Sequence, residues 1–210
     1  MERGVFFDLD GTLTDSMAGI SRSIRFALEA LDEPVPGDEE LRQYIGPPLL
    51  GSFAELVGDA RAEQALALYR ERFSRIGWAE NRVYDGIPDV LANLRQAGWS
   101  LFVATSKPQV YAERIIGHFG LRRYFQAVYG AELDGRRADK TALLEHARAG
   151  SGVNGRSTMI GDRRHDIIGA RNTGMHAIGV TWGYGSAAEL TEAGAHWLAK
   201  QPADILSLMV

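Results

Sequence analysis

The sequence predicts an α/β protein, a Rossmann-like parallel sheet interrupted by a helical segment, and three observations carry that expectation. Apolar runs of four to seven residues recur without polar alternation, the pattern of strands covered on both faces. Helical patterns stand between these runs, and strand alternating with helix implies a parallel sheet with right-handed crossovers. Residues 15–81, by contrast, hold helical patterns alone.

In chain order, "GVFFDLD" (4–10) is the first strand. Ile20, Ile24, Ala27, Leu28 and Leu31 then share one helical face, and "DEELRQYIG", "LLGSFAELVG" and "DARAEQALALYRERFSRIG" come next, with turn signals at "DEPVPGD" and "IGPPL". This block of about 65 residues reads as a helical cap (15–81) inserted after the first strand of a core made of 1–14 and 82–210. Ile87, Val90, Leu91 and Leu94 form a helix that stops at Gly98. "SLFVATS" (100–106) and "AVYG" (127–130) are the second and third strands, and Leu143, Leu144 and Ala147 mark a helix ending near Gly150. "STMIGD" (157–162) and "HAIGVT" (176–181) complete the strands.

Composition narrows the function classes. Of 210 residues 45% are hydrophobic, enough for a substantial core. A net charge of −4 gives no basic footprint for nucleic acid. No apolar run approaches the roughly 18 residues that span a bilayer, and Asp8 cuts the N-terminal run too soon for a signal peptide. There is no cysteine, so thiol catalysis and Cys-based metal sites are excluded and a reducing compartment fits. The expectation is a cytoplasmic protein, monomer or homodimer, that works on a small molecule. Of the 23 basic residues only Lys107, Lys140 and Lys200 are lysine. Where a generic cation would serve, arginine has been used, which marks the lysines as candidates for work needing a compact ammonium.

In an open parallel sheet the ligand site lies beyond the carboxyl ends of the strands. There stand Asp8 and Asp10 after the first run, Thr105 and Ser106 after the second, and Asp162 and Asp166 of "GDRRHD", with Lys140 opening the preceding helix. So many carboxylates repel one another unless a cation offsets them, and hard oxygen ligands without His or Cys match Mg²⁺. Magnesium points to phosphate. A carboxylate is already ionised near neutral pH, so it attacks phosphorus without a base, while a second carboxyl two residues on can move the proton of the leaving oxygen and of the attacking water.

"DLDGTLTD" (8–15), "VATSK" (103–107), Lys140 and "GDRRHD" (161–166) resemble, in order and spacing, the four motifs of the haloacid dehalogenase superfamily of phosphotransferases. The resemblance spans nearly the whole chain, cap included. It implies Asp8 as the nucleophile that forms an aspartyl-phosphate and Asp10 as general acid and base. It further implies Thr105 and the backbone of Leu9, Asp10 and Ser106 on the phosphoryl oxygens, and Lys140 as their counter-charge. Mg²⁺ would be held by Asp8, Asp162 and the Asp10 carbonyl, with Asp166 in its outer shell. Dehalogenases of the superfamily lack the second Asp, so Asp10 implies phosphate chemistry. The motifs look most like those of the phosphoglycolate phosphatase and 5′-nucleotidase branch, which implies a phosphomonoesterase; a phosphosugar mutase of the same superfamily would share every one of these residues.

Plainer readings compete at each position. "LDGT" alone fits a type I′ hairpin turn, but "TLTDSMAG" is a poor returning strand, and a calcium loop fails because Leu13 and Gly19 stand where Gly and Glu are needed. Asp162 and Asp166 could simply cap a helix, and Lys140 alone could be a solvated helix residue. A response-regulator receiver also combines Asp, Thr and Lys, but its phosphoacceptor lies on the third strand and it has no cap. His165 lacks His or Cys partners and is left out as a ligand; Arg163 and Arg164 are expected at the surface near the site mouth. "YIGPPL" (44–49), with Gly46, is either a loop that selects substrate or a simple helix breaker.

Overall fold

The computed structural model describes residues 3–209. Eight strands and ten α-helices succeed one another in chain order: β1 (Gly4–Phe7), β2 (Thr14–Asp15), α1 (Met17–Glu29), α2 (Asp38–Arg42), α3 (Leu49–Val57), α4 (Asp59–Arg75), β3 (Arg82–Val83), α5 (Ile87–Gln96), β4 (Ser100–Pro108), α6 (Gln109–His118), β5 (Ala127–Ala131), α7 (Lys140–Ser151), β6 (Ser157–Gly161), α8 (Arg164–Asn172), β7 (His176–Val180), α9 (Ala187–Glu192), β8 (Trp197–Ala199) and α10 (Asp204–Leu208). Six parallel strands form one sheet in the order β5-β4-β1-β6-β7-β8, which is the α/β architecture expected.

Period-two alternation decides what each face of the sheet buries. Val5 and Phe7 of β1, Leu101 and Val103 of β4, and Ile178 and Val180 of β7 enter one apolar cluster that continues into Ile24, Phe53 and Phe73 of α1, α3 and α4. Phe6, Phe102, Met159 and Ala177 enter the other, against α7 and α8, with Phe6 stacked on Phe102 at 4.9 Å. Each large side chain so buried contributes about 1.5–3 kcal/mol. The central strand therefore carries little freedom, and the turn at its carboxyl end is held in place.

The ribbon β2–β3 pairs Thr14 with Val83 and Asp15 with Arg82, bringing the two ends of the helical segment together. Among the described residues no helix is long and apolar enough to cross a membrane.

Two sequence expectations shift and a third is sharpened. β1 ends at Phe7 rather than residue 10 because the chain folds at once into a tight turn: the Leu9 carbonyl accepts the N–H groups of Thr12, Leu13 and Thr14, and Gly11 sits at φ +83°. The helix at 140 does end near Gly150, at Ser151, but the residue that stops it is Gly152, left-handed at φ +70°. β8 lies in a stretch not read as a strand from sequence, because its three residues are too few to show a period.

Candidate active site

The turn after β1 presents Asp8 and Asp10 in opposite company. Asp8 is 5% exposed and takes its main-chain N–H to the Ile160 carbonyl of β6. Its carboxylate meets Lys140 Nζ at 3.1 Å. Lys140 begins α7, whose N-cap is Asp139, accepting the Ala142 N–H. The ammonium donates to Asp8 Oδ1 and to the Ala104 carbonyl, each at 3.1 Å, and forms an ion pair with Asp166 Oδ1 at 2.7 Å.

Asp162 follows β6 directly and is fully buried; its two oxygens accept the Thr12 hydroxyl at 3.1 Å and the Tyr184 N–H at 2.8 Å. A Cβ on Gly11 would stand 2.2 Å from that carboxylate, so glycine is required there for space as well as for its positive φ. Asp166 Oδ2 accepts the Arg163 N–H at the start of α8, as the capping reading expects, while its Oδ1 faces Lys140.

Asp8, Asp162 and Asp166 each offer an oxygen within 4.8 Å of the others. Burial pushes the Asp8 carboxyl up, with Lys140 opposing and Asp166 adding to the rise. Burial, then Asp166 and Asp8, push Asp162 well above the usual carboxylate range. For Lys140 burial disfavours the charge, but Asp166 and Asp8 outweigh it and the pKa rises. Three carboxylates against one ammonium leave surplus negative charge in a dry place. An all-oxygen donor set of this kind fits a hard divalent cation. His165 is exposed and takes no part in the cluster.

Asp10 belongs to a second pair. Its Oδ2 accepts Lys107 Nζ at 2.7 Å, both side chains nearly buried, while Oδ1 is buried without a hydrogen-bond partner. The ammonium also lies 4.7 Å from the centroid of the Phe73 ring of α4. Lys107 was not among the candidate site residues; its signal was the scarcity of lysine, since two of the three now stand beside the carboxylates.

Beside this constellation is a cavity of about 400 Å³. Asp8, Asp10, Thr105, Ser106 and Gly46 line it; Lys140, Asp162 and Asp166 do not. Thr105 Oγ1 accepts the Lys107 N–H at 3.2 Å, and the Ser106 hydroxyl donates to the Ala138 carbonyl, which leaves its backbone N–H as the donor for a phosphoryl oxygen. Leu9 is buried as a core side chain.

Arg163 corrects an expectation. Arg164 is exposed, but the Arg163 guanidinium donates to the Ile45 carbonyl at 2.5 Å, the Gln43 carbonyl at 3.4 Å and Glu189 Oε1 at 3.0 Å. It tethers the loop 43–48 to the start of α8, and that role forbids bulk at Gly46, where φ is +107° and a Cβ would lie 3.1 Å from Arg163 Cγ. Tyr184 was also missed: its N–H serves Asp162 while its hydroxyl accepts the Ser16 N–H at 2.8 Å and bonds Asp15 Oδ1 at 3.1 Å.

The profile described as haloacid dehalogenase-like hydrolase matches residues 5–180. A 5′-nucleotidase of Pseudomonas aeruginosa is 47% identical over 97% of this chain and 92% of its own length. Tyrosine-protein kinase PtkA of Mycobacterium tuberculosis is 44% identical over 87% of this chain and 63% of its own. Phosphoglycolate phosphatase 1 of Pseudomonas aeruginosa is 30% identical over 91% and 74%. The crystal structure of a predicted phosphatase from Clostridium acetobutylicum superposes with a TM-score of 0.94 at 39% identity, covering all of this chain and 98% of that one. Fold, motif order and likeness agree, and the chain belongs to the haloacid dehalogenase-like hydrolases, among which it is a phosphatase.

Proposed function

We propose that the protein is a Mg²⁺-dependent phosphomonoesterase of the cytoplasm, working as monomer or homodimer on a small phosphorylated metabolite through an aspartyl-phosphate on Asp8. The observation that carries this reading is the position of Asp8, buried between Lys140 and a cavity that Thr105 and Asp10 also line. In this reading residues 15–81 are a cap over a core of 1–14 and 82–210; residues 1, 2 and 210 of that division lie outside those described.

Asp8 attacks the phosphorus, the bond to the ester oxygen breaks, and Asp10 supplies that oxygen with a proton. Asp10 then takes a proton from the water that hydrolyses the aspartyl-phosphate. The unpartnered Oδ1 is the atom available for both transfers, because Oδ2 is held by Lys107. Thr105 and the backbone of Asp10, Leu9 and Ser106 hold phosphoryl oxygens, and Lys140 balances charge on Asp8. Asp8, Asp162 and the Asp10 carbonyl, with Asp166 behind, would hold Mg²⁺, which supplies charge neutralisation to the transferring group. With the cap closed, bulk water is excluded and only water activated by Asp10 reaches the intermediate.

A panel of phosphorylated metabolites assayed with Mg²⁺ tests this. Wild type is expected to release phosphate, and Asp8→Asn to lose at least about 10³-fold in kcat with an unchanged melting profile. Retention of activity by that variant removes Asp8 from the nucleophile's place.

A further inference from the structure

The cavity wall beyond the carboxylates is mainly apolar and includes an aromatic group. Tyr69 and Phe73 of α4 stack at 5.3 Å and 12°, and Tyr111 of α6 meets Phe73 edge-on at 5.2 Å. Tyr44, Pro47 and Pro48 of the tethered loop line it too. At about 400 Å³ the chamber is of the size that holds a nucleoside-sized or aryl group. A two-carbon acid would leave most of it to water against apolar walls, which is unfavourable.

Its charges are the second observation. The cationic side chains lining it are Lys107 and Arg70. Lys107 is held on Asp10, and Arg70 Nη2 donates to the Leu133 carbonyl at 2.6 Å. Glu132 and Asp134, which also line it, are paired with Arg137 and Arg136, which do not. A carboxylate or second phosphate on the leaving group would lose its water against a lining in which five carboxylates, those of Asp8, Asp10, Glu63, Glu132 and Asp134, outnumber the two cations.

We infer that the leaving alcohol carries a flat, uncharged ring and no second anionic group. This rests on the phosphomonoesterase reading and narrows it: nucleoside 5′-monophosphates and aryl phosphates supply that chemistry, whereas phosphoglycolate and sugar bisphosphates do not.

The test is kcat/KM of the full chain with Mg²⁺ on uridine 5′-monophosphate, 1-naphthyl phosphate, phosphoglycolate and glucose 1,6-bisphosphate. At least one ring substrate is expected to exceed both others by about 100-fold or more; which of the two does so distinguishes nucleoside from aryl source. Phosphoglycolate or the bisphosphate within about 100-fold of the better ring ester overturns the inference while leaving a phosphatase. If none of the four is hydrolysed, the phosphatase reading fails, and equilibrium dialysis decides the chamber separately. Binding of uridine or 1-naphthol with a Kd of about 1 mM or tighter, with none of glycolate, supports it; any other binding pattern overturns it.

Discussion

Lys107 and Asp10 form a buried pair whose members depend on each other. Removing one partner of such a pair leaves an uncompensated charge, which costs about 3–5 kcal/mol. Lys107→Met is therefore expected to destabilise the protein by about that amount in denaturant melts and to lower kcat by about 10²-fold. Adding Asp10→Asn should recover most of the stability and none of the activity; a double variant no more stable than the single would show that the two are not coupled. At this scale the proximity of Asp8, Lys140, Asp162 and Asp166 was legible in the sequence, because each ends an apolar run or opens a helix on one rim of a parallel sheet. Lys107 was not, since nothing in "VATSK" says which carboxylate its flexible stem reaches.

Among the elements, α8 and the loop before α3 are joined by Arg163. A hydrogen bond from a charged donor contributes about 1.5–3 kcal/mol. Arg163→Ala should accordingly raise KM by about 10-fold or more with a smaller change in kcat, and speed amide exchange over residues 43–50. Arg163→Lys should not restore either value, because an ammonium lacks the fork that reaches Glu189 and Ile45 together. Exchange rates unchanged in the alanine variant would deny the tether. The five longer strands could be read from their unbroken apolar runs and the long helices from periodicity. Arg163 could not: "GDRRHD" places two arginines side by side, and only the turn of α8 decides that one faces the loop and the other water. The same limit left the role of Gly46 open until its neighbour was known.

For the molecule as a whole, the surplus of buried negative charge predicts a cation-dependent stability. A ligand bound only by the folded state adds about 2.7 kcal/mol at 100 times its Kd, which in a chain of this size raises Tm by roughly 5–10 °C. Saturating Mg²⁺ should produce that rise, and a chelator should reverse it. Asp162→Asn keeps an oxygen for the Tyr184 N–H and turns its amide NH2 toward the Thr12 hydroxyl oxygen, but removes a charge, so its Tm should lack the rise while standing no lower than wild type without metal. A wild-type Tm indifferent to Mg²⁺ would remove the metal from this site.

The sheet order also bears on how the protein is made. β1 lies between β4 and β6, whose partners for it begin at Ser100 and Ser157. Contacts so distant in sequence form slowly and late. During synthesis Asp8 emerges 132 residues ahead of Lys140, and further still ahead of Asp162 and Asp166. A nascent chain released before Ser157 would leave one edge of the central strand, "GVFF", without its partner β6 and open to any other strand edge nearby. Truncation is thus a matter of aggregation as much as of lost chemistry.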